Sequence, residues 1–263
     1  MSEAIKVPTM AQLMAEGKKP EVLFWVGCAG SFDDRAKKIT KAFVKILNNA
    51  KVDFAVLGTE ESCTGDPAKR AGNEFLFQMQ AMANIEVMNA YEVTKVVTAC
   101  PHCFNTIKNE YPELGGKYEV LHHTQFLKNL LNEGRLKVEG GKFKGKRITF
   151  HDPCYLGRAN NEYEAPRELL EKLEVELHEM KASKRNGLCC GAGGAQMFKE
   201  PEPGNKDVNI ERTEQALETN PSVIAAGCPF CNTMMTDGVK AKEKEGEIEV
   251  LDVAEMIASA KDL

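Results

Sequence analysis

The chain lacks a long apolar run. Its longest compact apolar stretch, residues 22–26, is far shorter than the roughly 20 residues that a transmembrane helix needs. The first 20 residues are polar and charged, without the apolar core of a signal peptide. These absences predict a cytoplasmic protein with no transmembrane segment of its own, able at most to attach peripherally to a membrane complex.

The chain also lacks an excess of basic residues. It has 34 Lys and Arg against 39 Asp and Glu, a net charge of −5, which argues against nucleic acid as a partner. Hydrophobic residues make up 43% of the 263 residues and charged residues 28%, as in an ordinary globular protein. The length fits one large α/β domain or two smaller domains.

Cysteine, in contrast, is abundant. The chain has nine cysteines, an odd number that disulfides cannot fully pair, and disulfides rarely persist in the cytoplasm. A single buried cysteine is most often a plain core residue. The spacing of the nine therefore decides whether they are scattered core residues or metal ligands.

That spacing contains an internal repeat. Four cysteines recur in the second half at an offset of 126 or 128 residues: Cys28 with Cys154, Cys63 with Cys189, Cys100 with Cys228, and Cys103 with Cys231. A repeat of this kind indicates duplicated structural units. It divides the chain into an N-terminal extension at 1–20, a first cysteine-rich subdomain at 21–134 and a second at 147–258, with a Gly- and Lys-rich stretch between them.

Strand patterns alternate with helix patterns in both halves, which predicts an α/β fold of two similar parallel-sheet βα subdomains related by internal duplication. Strands are predicted at 21–26, 53–57, 95–99, 118–121, 147–150, 175–180, 223–226 and 248–251. Helices are predicted at 32–49, 73–91, 104–110, 124–132, 165–173, 208–219, 232–242 and 253–261. The Phe and Met side chains of the helix at 73–91 are expected to pack in the core rather than to line a cofactor pocket.

Every group of cysteines follows a predicted strand. In a parallel sheet such positions share the carboxyl edge, where open α/β folds place their sites. The Cys-Pro-x-Cys sequences at Cys100 and Cys228 also begin helices, whose N-termini favour thiolate over thiol. We therefore expect metal sites at the carboxyl ends of the strands.

The type of metal site is only partly defined by the residues themselves. Cys-x-x-Cys occurs in zinc sites, redox dithiols and iron–sulfur clusters. The second half adds Cys154 and the adjacent Cys189 and Cys190, which gives five thiols where structural zinc takes four ligands. Iron–sulfur clusters are held by thiolates and tolerate widely separated ligands, so the pattern favours a cluster over zinc, plain thiols or a disulfide switch.

The cysteine pattern resembles a known family, the duplicated cysteine-rich CCG domain. That domain occurs in the cysteine-rich subunit of heterodisulfide reductase, in the iron–sulfur subunits of glycolate oxidase and anaerobic glycerol-3-phosphate dehydrogenase, and in lactate-utilisation iron–sulfur proteins. The flanking sequences His-Asp-Pro-Cys-Tyr-Leu-Gly-Arg at 151–158 and Cys-Cys-Gly-Ala-Gly-Gly at 189–194 match as well. The resemblance covers residues 21 to about 258.

The resemblance implies a [4Fe-4S] cluster of the non-cubane type in the second half. Its expected ligands are Cys154, Cys189, Cys190, Cys228 and Cys231. The first half departs from the pattern, because its Cys-Cys-Gly reads Cys63-Thr64-Gly65. Its remaining thiols, Cys28, Cys63, Cys100 and Cys103, are expected to hold a cubane [4Fe-4S] cluster, a zinc ion or nothing stable.

Three further residues are candidates for cofactor binding. His151 could donate a hydrogen bond to the cluster or be satisfied by backbone at the end of its strand. Gly191 and Gly193 permit close backbone approach, so that their N–H groups could point at sulfide, or they form a tight turn. For the other polar residues near the motifs we expect smaller roles: tuning of the first site by His102, core or surface positions for His122 and His123, and solvated salt bridges for Arg158 and Arg167.

The first functional hypothesis is an iron–sulfur electron-transfer subunit of a cytosolic oxidoreductase complex. The chain lacks a ferredoxin-type cysteine run and any flavin or nicotinamide fingerprint, so the resemblance implies a ferredoxin-type iron–sulfur or flavoprotein partner, or a quinone-linked membrane protein. One alternative is a catalytic subunit like that of heterodisulfide reductase, against which the missing fifth cysteine argues. Another is a zinc-stapled interaction module.

Overall fold

Strands and helices alternate along the chain in this computed structural model, which describes residues 5–200 and 203–263. The strands are β1 Val22–Trp25, β2 Phe54–Ala55, β3 Lys95–Thr98, β4 Glu119–His122, β5 Arg147–Phe150, β6 Glu176–Leu177, β7 Val223–Ala226 and β8 Glu249–Asp252. The helices are α1 Met10–Ala15, α2 Gly27–Phe32, α3 Ala36–Asn49, α4 Asp66–Arg70, α5 Glu74–Ala90, α6 Pro101–Asn105, α7 His123–Asn132, α8 Glu164–Lys172, α9 Val208–Leu217, α10 Pro229–Ala241 and α11 Val253–Ala260.

The eight strands form two four-stranded sheets with the same topology. Their orders are β2-β1-β3-β4 and β6-β5-β7-β8, and every strand pair is parallel. The predicted α/β fold with two duplicated parallel-sheet units is therefore confirmed. In each sheet the chain runs from one central strand to an edge and then back to the other central strand, which creates the switch point where open α/β sheets place their sites.

One hydrophobic core is shared by the two halves. It contains Val22 and Phe24 of β1 together with Ile148 and Phe150 of β5. The alternate residues of β1, Leu23 and Trp25, face a second core that belongs mainly to the first half. Strands β1 and β5 thus each present one face to the shared core. Their other faces are directed to the side of the sheets that bears the cysteines.

Contacts between helices also join the halves. Helix α11 packs against α3. Across this contact Arg35 binds Glu255 with two hydrogen bonds of 2.8 and 2.7 Å and donates a third, of 2.7 Å, to the carbonyl of Val250. A bidentate, largely buried pair of this kind fixes orientation as well as distance.

Several predicted elements differ in the structure. The helix expected at 32–49 begins only at Ala36, where the Asp33 carboxylate accepts a 2.7 Å hydrogen bond from the backbone N–H of Ala36. Gly27–Phe32 forms α2, a separate helix that was not predicted. The strand expected at 175–180 is only the two-residue β6. Beyond α6, the predicted helix continues as a π-helical turn over Thr106–Glu110.

Helix α5 corrects the expectation that its Phe and Met side chains all pack in the core. Phe77 and Met88 are buried. On the other side Phe75, Met79 and Met82 are 76%, 54% and 58% exposed. Apolar residues surround this helix on all sides, so hydrophobicity alone does not indicate which side is buried.

Within residues 5–200 and 203–263, the structure contains no helix that combines the length and the apolar character needed to span a bilayer.

The shared core generates a stability prediction. Phe43 of α3 is fully buried there, with its ring centroid 5.0 Å from that of Phe24. Phe43→Ala should lower the free energy of unfolding by about 3–5 kcal/mol, because it leaves a cavity between the halves. Phe32→Ala is the matched control, since Phe32 is 82% exposed, and its cost should stay within about 0.5 kcal/mol. Urea unfolding followed by circular dichroism measures both, and equal effects would contradict the shared core.

Candidate metal centre

The cysteines lie at the carboxyl edges of the two sheets. Cys28 follows β1 and Cys100 follows β3, and Cys154 and Cys228 follow the corresponding strands β5 and β7. These are the two central strands on either side of each switch point. Topology alone therefore brings residues from distant parts of the chain to one place in each half.

Local helix geometry orients the Cys-Pro-x-Cys pairs. Cys100 and Cys228 occupy the N-cap positions of α6 and α10, and a proline follows each at the first helical position. The Cys228 sulfur accepts a 3.5 Å contact from the backbone N–H of Cys231. Unpaired N–H groups and the helix dipole at such a position favour a negatively charged sulfur.

The five thiols of the second half form a tight set. The Cys190 and Cys231 sulfurs are 3.2 Å apart, and those of Cys154 and Cys189 are 4.0 Å apart. The backbone N–H of Gly191 donates to the Cys189 sulfur at 3.3 Å, and Gly191 has a φ of +90°, which favours glycine. Gly191 thus directs its N–H at a cysteine sulfur, and the expected contact of this N–H with sulfide stays a prediction.

The first half repeats this arrangement with one substitution. Thr64 occupies the place of Cys190: it is buried, and its hydroxyl lies 3.9 Å from the Cys103 sulfur, as Cys190 lies beside Cys231. The Cys28 end of the set is held by Glu61, whose carboxylate accepts hydrogen bonds of 2.9 and 2.6 Å from the N–H groups of Val26 and Gly27. The repeat therefore extends to the position of the missing thiol.

The two sets of thiols meet at the interface between the halves. Cys100 and Cys228 are close enough to influence each other's ionisation. Cys103 first, and then Cys228, lower the pKa of Cys100, while burial first, and then Cys100, raise the pKa of Cys228. Gly193 of the second half lies against His102 of the first, and a Cβ at Gly193 would stand 3.3 Å from the imidazole Cε1. A side chain at position 193 would press on this contact, so Gly193 serves the junction between the halves.

Within each set, neighbouring thiols shift each other's pKa in opposite directions. Contact with Cys28 lowers the pKa of Cys63 to about 7, and the same contact raises the pKa of Cys28. In the second half, contact with Cys154 lowers the pKa of Cys189 well below its usual range, while that of Cys154 rises. In each pair the contact favours a thiolate at one sulfur and a protonated thiol at the other.

The buried thiols resist further ionisation. The neighbouring Cys189 thiolate raises the pKa of Cys190 to about 12. Hydrogen bonding to Cys190 and Cys228, followed by burial, raises the pKa of Cys231. These sulfurs can all lose their protons only if cations replace them, since adjacent thiolates repel each other strongly away from water.

His151 is buried at the second set. One of its ring nitrogens lies within 4.8 Å of the Cys190 and Cys231 sulfurs. Its Nδ1 accepts a 3.0 Å hydrogen bond from Nε of Arg212, a fully buried residue of α9. Burial first, and then the Arg212 charge, lower the pKa of His151 to about 3, so the ring is neutral. The sequence left open that backbone groups satisfy the hydrogen bonds of His151. This does not hold for Nε2, which has no hydrogen-bond partner among the described residues.

His102 lies between the two sets rather than within the first alone. Its Nδ1 is 3.0 Å from a carboxylate oxygen of Asp66, and its ring packs on Tyr155 and Phe230 of the second half. Burial lowers the pKa of His102, but the hydrogen bond to Asp66 and the charge of Cys100 outweigh it and raise the pKa. Sequence inspection identified His102 but gave no signal for Asp66, which looks like any surface residue beside a proline.

The remaining polar candidates are structural. Arg167 is buried and binds both Asp152 and Glu179, which corrects the expectation of a solvated salt bridge. Arg158 donates to the carbonyl of Gly187. His122 and His123 are buried in the core, which was one of the two expected positions. Nε2 of His123 is 2.8 Å from the Asp252 carboxylate in the other half.

Comparison with known proteins identifies the class. The profile of the cysteine-rich domain family CCG matches residues 22–108 and again residues 148–236. The chain belongs to this family and carries its domain twice, which confirms the resemblance deduced from the motifs.

Three curated relatives are similar over nearly the whole chain. A probable iron–sulfur-binding oxidoreductase, FadF, of Bacillus subtilis is 49% identical over 97% of this chain and 36% of its own length. An EtfAB:quinone oxidoreductase of Syntrophomonas wolfei is 46% identical over 97% of this chain and 37% of its own length. One subunit of the dihydromethanophenazine:CoB–CoM heterodisulfide reductase of Methanosarcina barkeri is 35% identical over 93% of this chain and 60% of its own length. The chain thus spans between about a third and three fifths of these relatives.

The divergent thiol pKa values generate a reactivity prediction. In reduced, metal-free protein at pH 7.5, iodoacetamide should alkylate Cys63 faster than Cys190, by at least roughly tenfold, because only Cys63 is largely thiolate at that pH. The Cys63 rate should rise with a midpoint near pH 7, since its thiolate forms as the pH increases. Mass-spectrometric mapping of time points measures both rates. Equal rates at the two cysteines would contradict this ionisation pattern.

Proposed function

We propose that the chain is an iron–sulfur electron-transfer unit of an oxidoreductase complex. The observation that carries the proposal is the convergence of nine thiols into two sets at the carboxyl edges of the two sheets. Soft thiolate ligands suit iron–sulfur clusters. The names of the relatives agree with this chemistry, since one is an iron–sulfur-binding oxidoreductase and another is an EtfAB:quinone oxidoreductase.

The spread of the sulfurs in the first half, and their number in the second, support clusters over single zinc ions. A tetrahedral zinc with ligands at about 2.3 Å places its sulfurs about 3.8 Å apart. Across the described residues, the one group with three potential ligand atoms mutually within 4.8 Å consists of His151, Cys190 and Cys231. The thiols of the first half are therefore spread more widely than zinc would hold them, and the second half offers one thiol too many.

The residues fit such groups in a specific way. We assign Cys154, Cys189, Cys190, Cys228 and Cys231 to a [4Fe-4S] group of the non-cubane type, with Gly191 as an N–H donor to Cys189. We assign Cys28, Cys63, Cys100 and Cys103 to a cubane [4Fe-4S] group. A hydroxyl is a poor iron ligand beside thiolates, so Thr64 donates a hydrogen bond to Cys103 instead of binding metal. When bound, these groups supply one-electron redox chemistry.

The junction of the two sets supports a relay between them. Cys100 and Cys228 are both buried, and each alters the pKa of the other, so a ligand of one proposed site lies near a ligand of the other. Cys28, Cys63, Cys154 and Cys189 are partly exposed, so each set also reaches the surface. An electron could then enter at one set and leave at the other without the sites opening.

The partners follow from what the chain does not supply. It carries no flavin or nicotinamide fingerprint and no ferredoxin-type cysteine run. We therefore propose a flavoprotein or ferredoxin-type iron–sulfur region as electron donor or acceptor, on a separate subunit or in a further part of the polypeptide, and a link to a quinone in the membrane. The name of the Syntrophomonas relative, EtfAB:quinone oxidoreductase, agrees with a flavoprotein partner and a quinone acceptor.

Catalysis at the second set is the second candidate. The relative named as part of a heterodisulfide reductase favours it, and Cys154 and Cys189 are partly exposed. Thr64 argues against a matched pair of reactive centres, because only one half has the fifth thiol. The relay therefore ranks above disulfide cleavage.

The assignment of Cys190 generates a matched pair of substitutions. Cys190→Thr gives the second half the residue that the first half has, and should replace the EPR signal of the second site with one closer to the first. Thr64→Cys gives the first half the fifth thiol and should change only the first-site signal. EPR spectra and iron content of anaerobically purified protein measure both. If Cys190→Thr leaves iron content and spectrum unchanged, the five-thiol assignment is wrong.

The two candidate functions differ in what reduces or oxidises the protein. A relay predicts that a reduced electron-transfer flavoprotein bleaches the visible absorption of the protein within seconds, while an organic disulfide at the same concentration does not reoxidise it. Stopped-flow absorption measures both reactions. The Cys28→Ser variant, altered in the first set, tests whether electrons enter the protein at that set. Rapid reoxidation by the disulfide alone would favour the catalytic candidate.

A further inference from the structure

Four buried side-chain nitrogens lack a hydrogen-bond partner in the described part of the chain: Trp25 Nε1, His151 Nε2, Arg212 Nη2 and Asn232 Nδ2. Two of them occupy matching places in the repeat. One is Nε1 of Trp25 and the other is Nε2 of His151; both side chains are fully buried. A buried donor without an acceptor costs about 1–3 kcal/mol, so few persist in folded proteins without a reason.

The two donors occupy equivalent positions in the repeat. Trp25 precedes Cys28 by three residues, and His151 precedes Cys154 by three residues. The strands support the same pairing, because Phe24 and Phe150, one residue earlier in each half, both face the shared core. Trp25 and His151 must then face the opposite side of their sheets.

That opposite side is where the cysteines lie. Trp25 packs in the same buried cluster as Cys100 and Cys103. A ring nitrogen of His151 lies within 4.8 Å of the Cys190 and Cys231 sulfurs. His151 therefore lies at its cysteine set, and Trp25 shares one core with two thiols of the first set.

Arg212 determines which nitrogen of His151 carries the proton. Its guanidinium can only donate, so the 3.0 Å contact from Nε makes Nδ1 of His151 the acceptor. The proton of the neutral ring then resides on Nε2. Arg212 is itself held by the carbonyl of Ala182 at 2.7 Å and by the Gln215 side chain at 2.9 Å. At Nε2 the histidine therefore offers the same group as the indole of Trp25: an N–H that donates a hydrogen bond and cannot accept one.

We infer that Trp25 Nε1–H and His151 Nε2–H each donate a hydrogen bond to a sulfur atom of the group held by their own cysteine set. The inference rests on the proposed function. Sulfur is a strong hydrogen-bond acceptor only as thiolate or sulfide, which are the forms that an iron–sulfur cluster contains. The repeat has kept the hydrogen bond while the residue that makes it has changed. Arg212 is the positioning residue that makes a histidine equivalent to a tryptophan.

The physical consequence is a tuned reduction potential. Reduction adds negative charge to the sulfurs, so a hydrogen bond to them stabilises the reduced state more than the oxidised state. Removing one donor should shift the reduction equilibrium of that site about tenfold toward the oxidised form, which is about 59 mV for one electron. The other site should keep its potential.

The first experiment removes each donor with little change of shape. Trp25→Phe removes the indole N–H. His151→Asn keeps an acceptor for Arg212 but removes the donor at Nε2, and His151→Gln places an amide N–H near that position. Tyr91→Phe is the control, since its hydroxyl binds Glu60 away from both sets. EPR-monitored redox titration of iron-loaded protein should lower the first potential only in Trp25→Phe and the second only in His151→Asn, with partial recovery in His151→Gln.

A second measurement uses the unaltered protein, in case a variant loses iron. Trp25 is the only tryptophan in the chain, so ¹⁵N-tryptophan labels one site. Electron–nuclear double resonance should then detect a weak ¹⁵N coupling to the reduced first site. For His151, pulsed EPR should detect a weakly coupled nitrogen; a strong coupling lost in His151→Gln would make it a metal ligand and overturn the inference.

The outcomes separate this inference from the proposed function. Wild-type protein without iron and sulfide would contradict the proposed function itself. Iron-loaded variants with unchanged potentials, or labelled protein without ¹⁵N coupling, would contradict only the hydrogen bonds. A first set with no redox-active signal would overturn the role of Trp25, while the second set would still test His151.

Discussion

Repulsion between thiolates is the constraint on which the rest of this molecule depends. Nine sulfur atoms lie at the adjoining edges of two sheets, several of them out of contact with water. Contacts inside each set lower the pKa of one sulfur and raise that of its neighbour, as for Cys63 and Cys28. A protein that gathers thiols in this way needs cations to hold them all in the ionised form.

The duplicated fold explains how such a set is assembled and why its two copies have diverged. A parallel sheet brings the residues after β1 and β3, or after β5 and β7, to one switch point. Each half then differs at two positions close to its thiols: Thr64 stands where the other half has Cys190, and Trp25 stands where it has His151. The scaffold is preserved, while the residues that touch the proposed groups set their chemistry.

The sheets and the location of the thiols were predictable from the sequence, because strand patterns are local and the cysteines recur at a fixed offset. The strands and the order of cysteines identify the parallel sheets and the edge at which the thiols lie. Other features depend on tertiary contacts that no pattern records. Helix α5 is apolar on all sides, so its exposed Phe75 and Met79 could not be distinguished from its buried Phe77. Arg212 looks like an ordinary helical arginine until its contact with His151 is known.

The central claim is that both cysteine sets hold iron and sulfide. Mössbauer spectroscopy of ⁵⁷Fe-enriched, anaerobically purified protein, with chemical analysis of acid-labile sulfide on the same sample, tests it most directly. The account predicts iron and sulfide in equal amounts, and two distinguishable iron–sulfur components, one for each set. Zinc without sulfide, or a single component that Cys190→Thr leaves unchanged, would contradict it.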